Sequence, residues 1–252
     1  MERKKYLLIV ILLMLGLASY AQDKYDKAIY DCYVKGDMIG WQQIIKLAER
    51  DVAAERSGEY SYKSPLKISL INYYYGVSGW LISQKESKLV MEYIKKGEAL
   101  IEKILDHEPD NATFIAYKAA FKGFRIGVSN FKAVYLGMQS MNFAKKAYSI
   151  DPINVRALIE MGNVLYYSPS FAGGDKKKGI EFYERAVSEI ERGGSTFNNW
   201  QYLSLLTSIT NAYYESGQKK EALKAYEKAN SAEPRFLWIK ENLSPKILQL
   251  RD

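Results

Sequence analysis

Three segments of the chain share one pattern: ILDHEPDNATFIAY (104–117), YSIDPINVRALIEMG (148–162) and KANSAEPRFLWIK (228–240). Each reads as the end of an apolar-faced helix, an acidic residue, a proline, and the start of another helix. Proline cannot continue the first helix but is tolerated just before the next, so Pro109, Pro152 and Pro234 act as punctuation. They are spaced by one and then two units of roughly 40 residues, a period typical of helical arrays. The second interval lacks its middle proline near Glu191-Arg192-Gly193-Gly194. A helical unit repeated in this way cannot bury its apolar face alone and must stack on its neighbours. No stretch sustains period-two alternation, so almost no sheet is expected.

The clearest unit is NNWQYLSLLTSITNAYYESGQKKEALKAYEKANSAEP, 198–234. Leu206, Ile209 and Tyr213 share a helical face, Gly217 turns the chain, and Ala222, Tyr226 and Ala229 form the facing stripe. Small alanines let two helices approach while the tyrosines fill the space around them. The unit resembles the tetratricopeptide repeat (TPR), with small, aromatic, small and proline at Ala222, Tyr226, Ala229 and Pro234. A second unit follows the pattern at Leu158, Met161, Gly162, Leu165, Tyr183 and Ala186. Two earlier units, ending at Pro109 and Pro152, follow it more loosely: Gly97 and Ser140 stand where the family prefers alanine, and Ile104 replaces the small residue before Pro109.

The resemblance implies an all-α fold of antiparallel helix pairs stacked in a right-handed TPR-like superhelix. The pairs are expected at about 23–56, 62–109, 111–152, 153–192 and 197–234, with a capping helix at 235–250, all in one domain over 22–252. The first pair turns at Lys35-Gly36-Asp37. In the last helix Trp238, Ile239 and Leu243 read equally as a cap or as a face for a homo-oligomer.

At the N-terminus Arg3, Lys4 and Lys5 precede the apolar run Leu7–Leu15, then Ser19-Tyr20-Ala21 places small residues where a signal peptidase reads. A signal peptide over 1–21, cut after Ala21, is expected. The uncharged stretch from Tyr6 to Tyr20 falls short of the roughly 20 residues that span a bilayer. Gln22, not a cysteine, follows the cut. The product is expected to be periplasmic or otherwise exported, with no stable membrane anchor after cleavage.

The formal net charge of +7 is spread among acidic residues. That permits contact with an acidic surface but gives no nucleic-acid footprint. Cys32 is the sole cysteine and His107 the sole histidine. No intrachain disulfide can form, no zinc site of the usual ligand types can be assembled within one chain, and a common catalytic triad has only one candidate base. His107 reads as a helix-end or surface residue. Asn111-Ala112-Thr113 fits a glycosylation acceptor, but it stands at a helix start, where asparagine is a good cap.

The loop SPSFAGGDKKKG (168–179) is the one stretch with the look of a phosphate cradle. Its glycines are not followed by the Gly-Lys-Ser/Thr that would hold phosphate and magnesium, because Ile180 and Glu181 follow Gly179. It reads instead as a connection: Ser168-Pro169 ends a helix, Phe171 tucks into the core, Gly173 and Gly174 take positive φ, and Asp175 caps the next helix. Lys176, Lys177 and Lys178 open that helix against its dipole. Exported Gram-negative TPR proteins, including helical subunits of some solute-uptake systems, look similar here.

No cofactor and no catalytic group is read from the sequence, and the chain is taken as a non-enzyme. In TPR proteins the first helix of each pair faces the concave side. Carried over, that implies a partner-binding set of Arg156, Asn163, Tyr166, Tyr167, Thr207, Asn211 and Tyr214, with Ser204 beside it. Asn163 and Asn211 fall at the same repeat position. An asparagine amide can donate to and accept from an extended peptide backbone, and tyrosines offer apolar area with a hydroxyl. The basic clamp of carboxylate-binding relatives is missing around Asn211, where Thr207 and Glu215 stand. The expectation is an adaptor that holds a protein or peptide segment in its groove. The alternative is a helical subunit that binds a small solute for a transport system.

Overall fold

The computed structural model describes residues 25–249 except 57 and 59, so the expected signal peptide and its cleavage point lie outside the described residues. Every regular element among the described residues is helical. In order they are α1 (25–35), α2 (Met38–Ala53), α3 (Pro65–Ser83), α4 (Ser87–Leu105), α5 (Ala112–Val128), α6 (Ala133–Ile150), α7 (Val155–Tyr167), α8 (Lys176–Arg192), α9 (Trp200–Glu215), α10 (Lys219–Ala232) and the short α11 (Ser244–Leu248). A π-helical turn over Ile239–Leu243 leads into α11.

Local chemistry accounts for the boundaries. The first helices of three successive pairs start on asparagine: the side chains of Asn111, Asn154 and Asn199 accept from the amides of Phe114 (3.4 Å), Ala157 (3.1 Å) and Tyr202 (3.0 Å). Each satisfies an amide that the first helical turn leaves without an internal partner. Gly36 and Gly217 close the α1–α2 and α9–α10 turns at φ +68° and +73°, a left-handed conformation that a side chain disfavours.

Neighbouring helices pack in antiparallel pairs, α3 with α4, α5 with α6, α7 with α8 and α9 with α10, and each pair stacks on the next. Ala119, Ala144, Ala186, Ala222 and Ala229 are fully buried at these crossings. At two crossings even a methyl group is too large. A Cβ on Gly162 would stand 2.4 Å from the Tyr183 ring, and one on Gly97 would stand 2.5 Å from the Phe121 ring. Ser140, at the other departure from the repeat pattern, uses its hydroxyl to donate to the Ala119 carbonyl at 2.8 Å.

The two ends of the array meet. Tyr33 on α1 lies with its ring 5.7 Å from Trp200 and 4.8 Å from Phe236, and Trp41 on α2 meets Trp200 edge-on at 5.1 Å. Gly76 on α3 makes room, since a Cβ there would fall 2.6 Å from Trp41 and 2.9 Å from Trp200. The main core therefore joins both ends, Tyr25 to Ile247, while two smaller clusters pack α6 between α5 and α7. Phe236, Ile239, Leu243 and Ile247 are buried in it, and of the three residues read as a dimer face only Trp238 is half exposed. Ile239 and Leu243 are thus spent in capping the array.

One local expectation is overturned. Phe171 is 90% exposed, carried outward on a single 3-10 turn, Ser170–Ala172. The loop is pressed onto the end of α7: the Asp175 amide donates to the Leu165 carbonyl at 2.9 Å, and a Cβ on Gly174 would stand 1.9 Å from the Ser168 carbonyl oxygen. With the loop held there, Phe171 sits on the outward side of the 3-10 turn and not against the core. Gly173 takes φ +88° and Gly174 does not take a positive φ; its lack of a side chain serves the close approach instead. Asp175 does cap α8, accepting from the Lys178 amide at 3.1 Å.

Candidate functional site

The inner surface is built by α3, α5, α7 and α9. Residues on one face of α7 point toward the other three helices, and the seven positions singled out from the sequence divide there into two groups.

The inner group is engaged within the fold. Arg156 is buried, its guanidinium in the corner formed by the edge-to-face rings of Tyr75 (4.4 Å) and Tyr117 (4.5 Å), within cation–π reach of both. It pairs with Glu160 at 3.3 Å, one turn along α7. Glu160 also accepts from the Asn163 amide at 2.9 Å, and the Asn163 carbonyl accepts from the Tyr183 hydroxyl at 2.8 Å. Asn163 thus has both ends of its amide occupied. Thr207 is buried with its hydroxyl on the Ser204 carbonyl at 2.8 Å.

Burial would lower the Arg156 pKa, but Tyr117, Tyr75 and the Glu160 carboxylate outweigh it and hold the group above the ordinary arginine value. Burial pushes the Glu160 carboxyl upward against the pull of Arg156. Such a pair is sustained only while each charge keeps its hydrogen bonds.

Beside this pair lies a cleft of about 50 Å³, bounded by Tyr75, Arg156, Asn163, Trp200, Gln201 and Ser204, among others. The Trp200 indole nitrogen is buried without a hydrogen-bond partner among the described residues. Gln201 reaches across to Asn72 of α3, which also accepts from the Tyr117 hydroxyl at 3.2 Å. The inner face is therefore largely filled by the chain's own rings and amides.

The outer group gathers where α7 and α9 end. Glu215 accepts from the Tyr166 hydroxyl at 2.8 Å and from the Asn211 amide at 3.2 Å, tying the two repeats together. Tyr167 is 74% exposed, its ring 5.1 Å from that of Tyr166, and Tyr214 is half-buried nearby on α9. Burial first, then the hydrogen bond to Glu215, raises the Tyr166 hydroxyl far above the ordinary tyrosine value, so it remains a donor.

Tyr75, Asn72, Trp200 and Gln201 were not singled out from the sequence. For Asn72 and Tyr75 the signal was the run NYYYG (72–76), in which a glycine among aromatic residues inside a helix marks close approach by another element.

Among the described residues no three His, Cys, Asp or Glu side chains converge in a way that could hold a metal ion, and no helix is long and apolar enough to cross a membrane. Cys32 is a half-buried free thiol, raised by burial. His107 is exposed, stacked on Tyr62 at 4.1 Å, with Nδ1 3.0 Å from the Lys103 carbonyl oxygen.

Stacked helix pairs, alanines and glycines at the crossings and a ring-lined inner face define a TPR-like helical-repeat scaffold. The chain has the fold of a thermophilic TPR protein from Thermus thermophilus, with a TM-score of 0.56 at 13% identity, covering 90% of this chain and 99% of that one. At the level of sequence, neither a family nor a curated protein matches.

Proposed function

We propose that the protein is an exported, non-catalytic adaptor that holds a segment of a partner protein against the ends of α7 and α9. The observation that carries this reading is the gathering of Tyr166, Tyr167, Asn211 and Tyr214 around Glu215, from equivalent parts of two adjacent repeats. Tyr167 and Tyr214 offer amphipathic surface at low entropic cost, and the Asn211 amide, which donates to Glu215, keeps its carbonyl oxygen for a partner's backbone. The fold supports the same reading, because TPR-like scaffolds typically mediate protein interactions.

The cleft beside Arg156 plays a secondary part, receiving one short polar side chain or chain end. Its volume of about 50 Å³ is well below the roughly 300–1,000 Å³ of sites that enclose a whole small ligand, which favours a partner segment over a metabolite. Export rests on the basic, then apolar, then small-residue pattern of residues 1–21.

The test is capture from cell-envelope extract by cross-linking, with Gln22–Asp252 as bait beside Y167A/N211A/Y214A. One protein held by the parent and lost by the variant at unchanged helical content supports the reading. Equal capture by both removes the patch from it, and a product retained in the cytoplasm removes export.

A further inference from the structure

The connections inside two successive pairs repeat one device. Between α5 and α6 the chain makes a one-turn 3-10 helix, Asn130–Lys132, and between α7 and α8 another, Ser170–Ala172. The middle residue of each is a phenylalanine, Phe131 and Phe171, and each is 90% exposed. Both connections join first to second helices of neighbouring pairs, so they lie along one edge of the array, with the second loop against Met141 of α6. The apolar surface continues along α6 through Val134 (75% exposed), Tyr135 (57%) and Met138 (57%). With Phe131 these residues follow the three- and four-residue spacing of a single helical stripe, turned outward.

The charge of the first of these segments is strongly biased, and in the second the lysines gather beside the exposed turn. From Asn111 to Ile150 the chain holds Lys118, Lys122, Arg125, Lys132, Lys145 and Lys146 and no aspartate or glutamate. Lys118, Lys122 and Arg125 pair with Glu102 and Glu98 of α4, and Lys146 with Asp110, so those four are used within the fold. Lys132 stands at the start of α6, and Lys176, Lys177 and Lys178 open α8, all at the positive end of a helix dipole where a cation is unfavourable. Lys176 lies over the Tyr166 ring and Lys178 faces Asp175 at 3.4 Å. Lys132 and Lys177 are exposed, and neither ammonium group has an ion-pair partner among the described residues.

We infer that this edge docks on an anionic lipid surface, with Phe131 and Phe171 entering the interfacial layer and Lys132 and Lys177 facing the headgroups. A bilayer supplies both things the edge presents a match for, an apolar layer and a sheet of negative charge. It also accepts two separate projecting tips, which a shaped protein pocket would have to fit one by one. The surface is distinct from the α7–α9 patch, and the inference stands or falls apart from the adaptor reading.

The experiment is co-sedimentation of Gln22–Asp252, which holds the whole described core, with vesicles of phosphatidylcholine alone or mixed with phosphatidylglycerol. The parent is expected to bind the mixed vesicles at low salt and to release them at high salt. K132Q/K177Q is expected to bind about thirtyfold more weakly, from about fivefold per lysine at an anionic surface. F131S/F171S is expected to bind about tenfold more weakly or worse, from the apolar area withheld. Binding of the mixed vesicles no stronger than of phosphatidylcholine, or unchanged binding by F131S/F171S, overturns the inference. So does a parent that ignores vesicles but forms a dimer dispersed by F131S/F171S, which assigns the edge to a second copy of the chain.

Discussion

The hydroxyl of Tyr30 on α1 donates a 2.9 Å hydrogen bond to the carboxylate of Glu233 at the end of α10, joining residues 203 positions apart. Arg235 clasps the same carboxylate through its side chain (2.7 Å) and its backbone amide (3.0 Å). An open solenoid leaves its terminal units in contact only with their neighbours. Here the first and last units touch each other, through this bond and through the Tyr33, Trp41, Trp200 and Phe236 rings. Opening either end therefore exposes core at both.

The Glu233 carboxyl is held down to about 2 from an ordinary 4.5, chiefly by the Arg235 hydrogen bond, with burial opposing and Tyr30 assisting. A folded-state value below the unfolded one means that protonation favours unfolding. The contribution is complete above the ordinary carboxylate range and is lost as pH falls toward about 2. E233Q is expected to melt below the parent at neutral pH, with the gap closing as pH falls through that window. A gap that stays constant in melting curves across the window would mean that the charge is not what closes the ends.

Gly97 stands where a TPR consensus would place alanine, yet its Cβ would fall 2.5 Å from the ring of the fully buried Phe121. G97A is expected to destabilise by about 1–3 kcal/mol through overpacking, in spite of alanine's better helix propensity. G97A/F121L is expected to recover part of the loss, since the smaller side chain vacates the contact. Urea denaturation of the three variants measures both effects.

Removing one charge of the Arg156–Glu160 pair strands the other inside the protein. E160Q is expected to cost about 3–5 kcal/mol, whereas R156M/E160L replaces both charges and recovers most of it. Chemical denaturation checks the energies. A double variant no more stable than E160Q would show that the packing of Tyr75 and Tyr117 depends on the guanidinium itself.

At 90% exposure Phe131 and Phe171 contribute little to folding. F131S and F171S are each expected to leave stability within about 0.5 kcal/mol of the parent, as surface substitutions usually do. A loss of several degrees in the melting temperature of F171S would place its ring in the core after all.

Much of the architecture was legible before any coordinates. Pro109, Pro152 and Pro234 marked unit boundaries, Asn111 a cap, Gly36 and Gly217 turns, and Ala222, Tyr226 and Ala229 a packed stripe. The site was legible only in part. Arg156, Asn163 and Thr207 lie on the inner side of α7 and α9 but are engaged within the fold, Arg156 by Tyr75 of α3 and Tyr117 of α5, Asn163 by Glu160 and by Tyr183 of α8, and Thr207 by the Ser204 carbonyl of its own helix. Tyr167, Asn211 and Tyr214 remain at the surface. The difference is invisible in any single repeat, since equivalent positions face open space or a neighbouring helix depending on how the array curves.

Sequence alone determined the helices, their pairing and their turns, because periodicity, caps and glycine conformation act within a few residues of themselves. Tertiary structure alone decided that the array closes on itself, that its inner face is filled, and that Phe171 points outward. Those outcomes depend on helix lengths and crossing angles accumulated over five pairs, and on which side chains reach a given space first. Contacts such as Tyr30 with Glu233 exist only once those accumulated rotations bring the two ends together.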